Sequence, residues 1–163
     1  MFVFSLAAGF ATGTPNAERV RLSMAGLPVA PADGVRTAHG PRGSASLGRW
    51  IVVKRDDAAA PLWDPVRGLL FAGDVRLYNR PELIRELGES AALDGEQSDL
   101  ELARLAYLKW GQDAPLHLVG DFAFVAWDES NSRLFAARDH FGVRPLHYRR
   151  LPDGMVVACE RAC

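Results

Sequence analysis

The segment Asp121-Phe122-Ala123-Phe124-Val125-Ala126-Trp127 has no polar face after its first residue. Successive side chains of a strand point to opposite faces, so a strand that is apolar on both must be covered on both. Asp128 to Ser132 supplies a turn, and Arg133-Leu134-Phe135-Ala136-Ala137-Arg138 returns as a second strand. Leu69-Leu70-Phe71-Ala72-Gly73-Asp74-Val75 has the same doubly apolar character. The core of the fold is therefore a sheet buried on both sides, by helices or by a second sheet.

Between these strands lie two helices with clear punctuation. Asn79 is an expected N-cap, Pro81 sits in the first turn, and Leu83, Ile84 and Leu87 share a face before Gly88. Ser98-Asp99-Leu100-Glu101 has capping-box spacing. Leu102, Ala103, Ala106, Tyr107 and Trp110 then form an apolar stripe that Gly111 ends. Leu146-His147-Tyr148 and Met155-Val156-Val157-Ala158 read as two short strands around Pro152-Asp153-Gly154. Met1 to Phe10 is apolar but has no basic segment ahead of it, so it reads as a buried strand rather than a secretory signal. Trp50 to Val53 reads as a strand before a polar turn at Lys54 to Asp57, and a short helix is expected near Asn16 to Met24. The Gly-, Pro- and Ala-rich stretch Ala30 to Ser46 reads as loop. Strands and helices in separate blocks predict an α+β fold, with helices packed on antiparallel sheets.

Composition narrows the function. Nineteen Lys and Arg face 20 Asp and Glu, a formal net charge of −1. Such a chain lacks the basic footprint that nucleic-acid binding needs. No apolar run reaches the roughly 18–20 residues of a membrane helix. Cys159 and Cys163 are too few for a disulfide framework, which points to the cytoplasm, and Cys159 is expected in the core. None of His39, His117, His140 and His147 falls in a spaced metal cluster, and no phosphate loop or nucleophile elbow is present. Arg138 to Pro145 is dense in charge and reads as a surface turn with an internal Arg–Asp pair.

Several motifs, in order, resemble the N-terminal glutaminase domain of the asparagine synthetase family. Leu118 to Asp128 is similar to the family's "LNGMFAFALWD", and Leu134 to Tyr148 to "LFLARDRLGIKPLYY". Val157-Ala158-Cys159-Glu160 sits where the family has "FASE". Phe71-Ala72-Gly73-Asp74 resembles "FNGEIYN", Tyr78 to Leu83 "YNYREL", and Ser98 to Glu101 "SDTE". The resemblance covers about residues 63–160. It implies a class II glutamine amidotransferase domain with the N-terminal-nucleophile (Ntn) hydrolase fold, an αββα sandwich of two antiparallel sheets between helix layers. In that family an N-terminal Cys attacks the glutamine amide and releases ammonia, with its own free α-amine or a water as base. The Asn and Gly of "NGE" hold the oxyanion. The Asp of "SDTE" binds the glutamine α-amino group.

The chain departs from that machinery at two positions. Ser5 takes the place of the Cys, with four residues ahead of it, and a serine hydroxyl ionises far less than a thiol. Ala72 takes the place of the oxyanion Asn and has no side-chain donor. Gly73, Asp74 and Asp99 keep substrate-binding positions, and Arg49 matches the Arg that holds the glutamine carboxylate. Asp99 also has a purely structural reading, a first-turn carboxylate on a helix. The resemblance thus implies a degenerate glutaminase with a vestigial glutamine pocket, as in lasso-peptide cyclases and β-lactam synthetases. There the domain is a scaffold for an ATP-dependent synthetase domain or subunit, and a precursor peptide is a further expected partner. The Ser-Gly-Gly-x-Asp-Ser pyrophosphate loop of that synthetase is absent from residues 1–163, so ATP and Mg are expected only in the synthetase. The sequence leaves two alternatives: an active glutaminase supplying ammonia for asparagine synthesis, or a docking module for a separate synthetase subunit or a precursor peptide.

Overall fold

The computed structural model describes residues 2–9, 35–39, 43–49, 61–88, 97–152 and 154–159. Two antiparallel sheets carry the fold. The first has the order β2-β3-β1-β9-β8, with β1 Phe2–Gly9, β2 Val35–His39, β3 Gly43–Arg49, β8 His147–Leu151 and β9 Gly154–Ala158. The second has the order β4-β5-β6-β7, with β4 Leu62–Asp64, β5 Leu69–Leu77, β6 Gly120–Asp128 and β7 Arg133–Arg138. Helix α1 spans Arg80–Leu87 and α2 spans Asp99–Trp110, continued by a tighter helical turn at Gly111–His117.

The doubly apolar strands behave as their sequence requires. On one face of the second sheet, Phe71, Val75 and Leu77 of β5 join Phe122 and Phe124 of β6 against Leu83, Leu87, Leu102 and Ala106 of the helices. On the other face, Leu70 and Ala72 join Ala123, Val125 and Trp127 against Leu6, Ala8 and Val157 of the first sheet. One sheet is thus sandwiched between helices and a second sheet, the α+β arrangement expected. Cys159 packs into the core between the sheets. The β5–β6 ladder runs without interruption from Leu69 opposite Asp128 to Leu77 opposite Gly120. Gly120 is required there: a Cβ on it would stand 2.0 Å from the carbonyl oxygen of Arg76.

Three local readings change. Residues 35–39 and 43–49, within and beside the expected loop, form paired strands, with β3 laid along β1 from Phe2 opposite Arg49 to Ala8 opposite Gly43. Small residues such as Gly43, Ser44, Ala45 and Ser46 carry little strand propensity, and the neighbouring strand decides their conformation. Asn79 begins α1 but does not cap it with its side chain. Its amide instead donates to the carbonyl of His117 and accepts from the N–H of Val119, tying the start of α1 to the turn before β6. The capping box of α2 is half made. Ser98 Oγ accepts from the N–H of Glu101 at 3.2 Å, while the Glu101 carboxylate turns to Arg104 instead. The expected helix near 16–24 and the strand and turn at 50–57 lie outside the described residues.

Candidate functional site

Three of the site residues named by sequence, Ala72, Gly73 and Asp74, lie on strand β5. Pairing of β4 with β5 ends at Leu62 opposite Phe71, so among the described residues no strand covers that edge of β5 beyond Phe71. The Tyr78 N–H donates toward β6, to Val119, whereas the Leu77 N–H donates away from it, to Asp99 Oδ2 at 3.0 Å. Backbone groups alternate in direction along an antiparallel strand. The N–H groups of Gly73 and Val75 therefore point, like that of Leu77, along this open edge. A backbone donor at Gly73 is what the resemblance expects of an oxyanion site on this strand. Gly73 also has a packing reason to be glycine, since a Cβ would stand 2.6 Å from the Ala123 carbonyl oxygen.

Ala72 has the opposite orientation. It is completely buried, and it packs in the layer between the sheets with Leu6, Val125 and Val157. At the position where the resemblance calls for an amide donor, this chain has a methyl group in an apolar core.

Asp74 lies one step further along the same face, 4% exposed, and its carboxylate is held by Arg144 at 3.1 Å. Arg144 arrives from the loop between β7 and β8, and Asp139 shapes that loop. Its buried carboxylate accepts from the backbone N–H groups of Phe141, Val143 and Arg144, and from Phe122 of β6. Gly142 supplies the left-handed turn at φ 65. Burial raises the Asp139 pKa, but the N–H bonds from Val143, Arg144, Phe122 and Phe141 outweigh it and hold the carboxyl below its ordinary value. The charged stretch read as a surface turn is thus an organised loop, and its arginine pairs with β5 rather than within the turn. The sequence did carry a signal: an Asp with Gly three residues on and Pro beyond is turn chemistry. Its partner on β5 is far away in sequence and was not legible.

Asp99 is the first residue of α2 and is 3% exposed. Besides the Leu77 N–H it accepts from the Arg80 guanidinium, which also donates to the Gln97 carbonyl at 2.7 Å. The carboxylate thereby joins the end of β5 to the starts of both helices. Its structural reading is realised in full, and Arg80 is a partner that sequence reasoning did not name. Next to it, Tyr78 donates its hydroxyl to Asp121 at 2.7 Å. That bond to the carboxylate raises the tyrosine pKa above its usual value.

Ser5 and Arg49 lie in the first sheet. Ser5 is in the middle of β1, opposite Ser46 of β3 and Ala158 of β9. Arg49 is the last residue of β3, opposite Phe2, so the two are at different levels of the same ladder. The structure thus brings Ala72, Gly73 and Asp74 onto one strand, with Asp99 at its end. It sets β1, which carries Ser5, across the sandwich through Leu6 and Ala8. Among the described residues, no group of three or more His, Cys, Asp or Glu is placed to hold a metal ion. No described helix is long and apolar enough to cross a membrane.

Comparison with known proteins agrees with this geometry. Residues 48–163 match the family model described as glutamine amidotransferase domain. The chain is 42% identical over 84 residues to asparagine synthetase [glutamine-hydrolyzing] 3 of Bacillus subtilis, covering 52% of this chain and 14% of that protein. It is 34% identical over 115 residues to asparagine synthetase [glutamine-hydrolyzing] 1 of the same organism, covering 69% of this chain and 18% of the relative. The chain thus spans less than a fifth of the length of either. Among solved structures, glutamine phosphoribosylpyrophosphate amidotransferase from B. subtilis superposes with a TM-score of 0.72 at 17% identity, over 98% of this chain and 42% of that one. At that identity the likeness shows the fold, an Ntn-hydrolase amidotransferase sandwich.

Proposed function

This chain belongs to the glutamine amidotransferase domain family, and we propose that it is a member without glutaminase chemistry. Its role in this reading is that of a scaffold for an ATP-dependent, amide-forming synthetase of the asparagine synthetase type, in a context like lasso-peptide cyclization. The chemistry of the family needs a nucleophile at a chain terminus, whose free amine helps take up the proton. The observation that carries the reading is the position of Ser5. It lies inside a continuous strand, with Phe2, Val3 and Phe4 ahead of it paired to Arg49, Gly48 and Leu47. A mid-strand serine has an amide where the mechanism wants an amine, and a hydroxyl where it wants a thiolate.

Two further features support it. The oxyanion position is a buried methyl group, Ala72, and losing one oxyanion donor typically lowers a rate about 10²–10³-fold. The two carboxylates expected to meet glutamine are engaged within the protein, Asp74 by Arg144 and Asp99 by Arg80 and the Leu77 N–H. ATP and Mg belong, in this reading, to the synthetase. A cytoplasmic setting fits a chain with only two cysteines, of which Cys159 is a core residue.

The test is ammonia release from glutamine by the purified chain. The expected result is a rate no higher than that of the Ser5→Ala variant and of buffer. Release that the Ser5→Ala change abolishes would instead make the chain an active glutaminase, the reading favoured by the retained Gly73 N–H at the open edge of β5.

A further inference from the structure

We infer that the cleft between the outer edges of the two sheets is a binding site for an aliphatic monocarboxylate, with the acid group on Arg138 and the tail between the sheets. The site is separate from the β5 positions and independent of glutamine chemistry.

Four observations carry it. First, β7 is the last strand of the second sheet and β8 the last strand of the first, so among the described residues neither has a further strand on its outer side. A cavity of about 510 Å³ opens between these edges, within the roughly 300–1,000 Å³ typical of small-molecule sites. Second, its walls are aliphatic. Leu134 and Ala136 of β7 line it together with Met155 and Val157 of β9. Leu134, Met155 and Val157 also belong to the apolar layer between the sheets, so the cavity is an opening into that layer. The unbranched thioether of Met155 adapts readily to a flexible chain.

Third, the charged groups on its walls are positive. Arg138 lines the cavity and follows Ala136 by two residues, on the same face of β7. A Cβ on Gly142 would stand 3.5 Å from Arg138 Cζ, so the turn organised by Asp139 backs the guanidinium. Among the described residues no carboxylate forms an ion pair with it. Tyr148 lines the cavity opposite Val157, and Arg150, opposite Met155, adds a second positive charge on that face of β8. Fourth, the space is made by this chain's own residues. Where the family motifs have Leu in "LFLARD" and Phe in "FASE", this chain has Ala136 and Val157, and both line the cavity. A small side chain in place of a large one leaves room that its neighbours only partly fill.

An apolar slot with a guanidinium at its mouth suits a carboxylate that carries an aliphatic tail. The planar guanidinium takes the acid group through two parallel N–H bonds. The tail covers the ring of Tyr148, which is 77% exposed without it.

The experiment is calorimetric titration of the full chain with decanoate, decanol and decylammonium, alongside thermal unfolding. Wild type is expected to bind decanoate saturably at sub-millimolar concentration, decanol about tenfold more weakly, and decylammonium not at all. Ala136→Leu sits at an exposed edge position, so it should fold as wild type does and weaken decanoate binding about tenfold by occupying the slot. Arg138→Met should weaken decanoate about tenfold and leave decanol unchanged, while Arg138→Lys keeps most of the decanoate affinity. No saturable decanoate binding by wild type would overturn the inference, as would equal affinity for all three probes or undiminished binding by Ala136→Leu. An Ala136→Leu chain that melts well below wild type would also overturn it, because the slot would then already be filled within the fold. None of these outcomes depends on ammonia release, so failure here leaves the scaffold reading to its own test.

Discussion

The two faces of the second sheet are built from different stock. The helix side is aromatic: Phe71 stacks on Phe124 with ring centroids 5.0 Å apart, and Tyr107 stacks on Phe135 at 5.3 Å. The face toward the first sheet carries smaller residues, Ala72 and Ala123 beside Leu70 and Val125, with Trp127 and Trp63 as its rings among the described residues. Bulky rings fill the space between a sheet and rounded helices, whereas small side chains let two sheets approach. The candidate site falls on the small-residue side and its open edge. There Ala72 completes the packing while Asp74 and Gly73 keep polar groups. The helix side thus specifies the fold, and the sandwich side carries the candidate site.

Substitutions should separate the two faces, in descending order of effect. Phe124→Ala removes a fully buried ring from the aromatic face and should cost about 3–5 kcal/mol, read by urea denaturation. Asp139→Asn should cost about 2–4 kcal/mol at neutral pH, because a neutral amide cannot serve four N–H donors as an ionised carboxylate does. Its sign with pH is fixed. A carboxyl held below its ordinary pKa stabilises the fold above about pH 4, the unfolded value, and that contribution is lost as pH falls through the lower folded value. The gap between wild type and Asp139→Asn should therefore close in acid; a gap that widened would show that the carboxylate is not the stabilising form.

On the sandwich face, Ala72→Asn should cost about 1–3 kcal/mol by overpacking a buried position, and it should not create ammonia release. Glutaminase activity gained by this change alone would mean that the oxyanion donor was the only missing part. The smallest effect is expected for Ser5→Ala, which should leave glutamine turnover unchanged at background in a direct ammonia assay.

Much of this fold was legible because its central strands are extreme. Phe122 to Trp127 and Leu69 to Val75 are apolar on both faces, and only a covered sheet accommodates that pattern. Both helices were legible from their termini, although Asn79 and Glu101 use their side chains differently from what spacing suggests. The strands β2 and β3 were hidden because Gly, Ala and Ser follow their neighbours rather than their own propensity. Of the site, Ala72 and Ser5 were legible as departures from a motif. The partners were not: Arg144 meets Asp74, and Arg80 meets Asp99, across long stretches of chain, and nothing in local spacing announces a tertiary ion pair.

The central claim is that Ser5 is a strand residue and not a terminal nucleophile. Its most direct test is the intact mass of the chain after incubation with an electrophilic glutamine analogue. The account predicts a mass without adduct and with the residues preceding Ser5 still attached. A chain trimmed to begin at Ser5 and carrying one covalent adduct on that residue would contradict it.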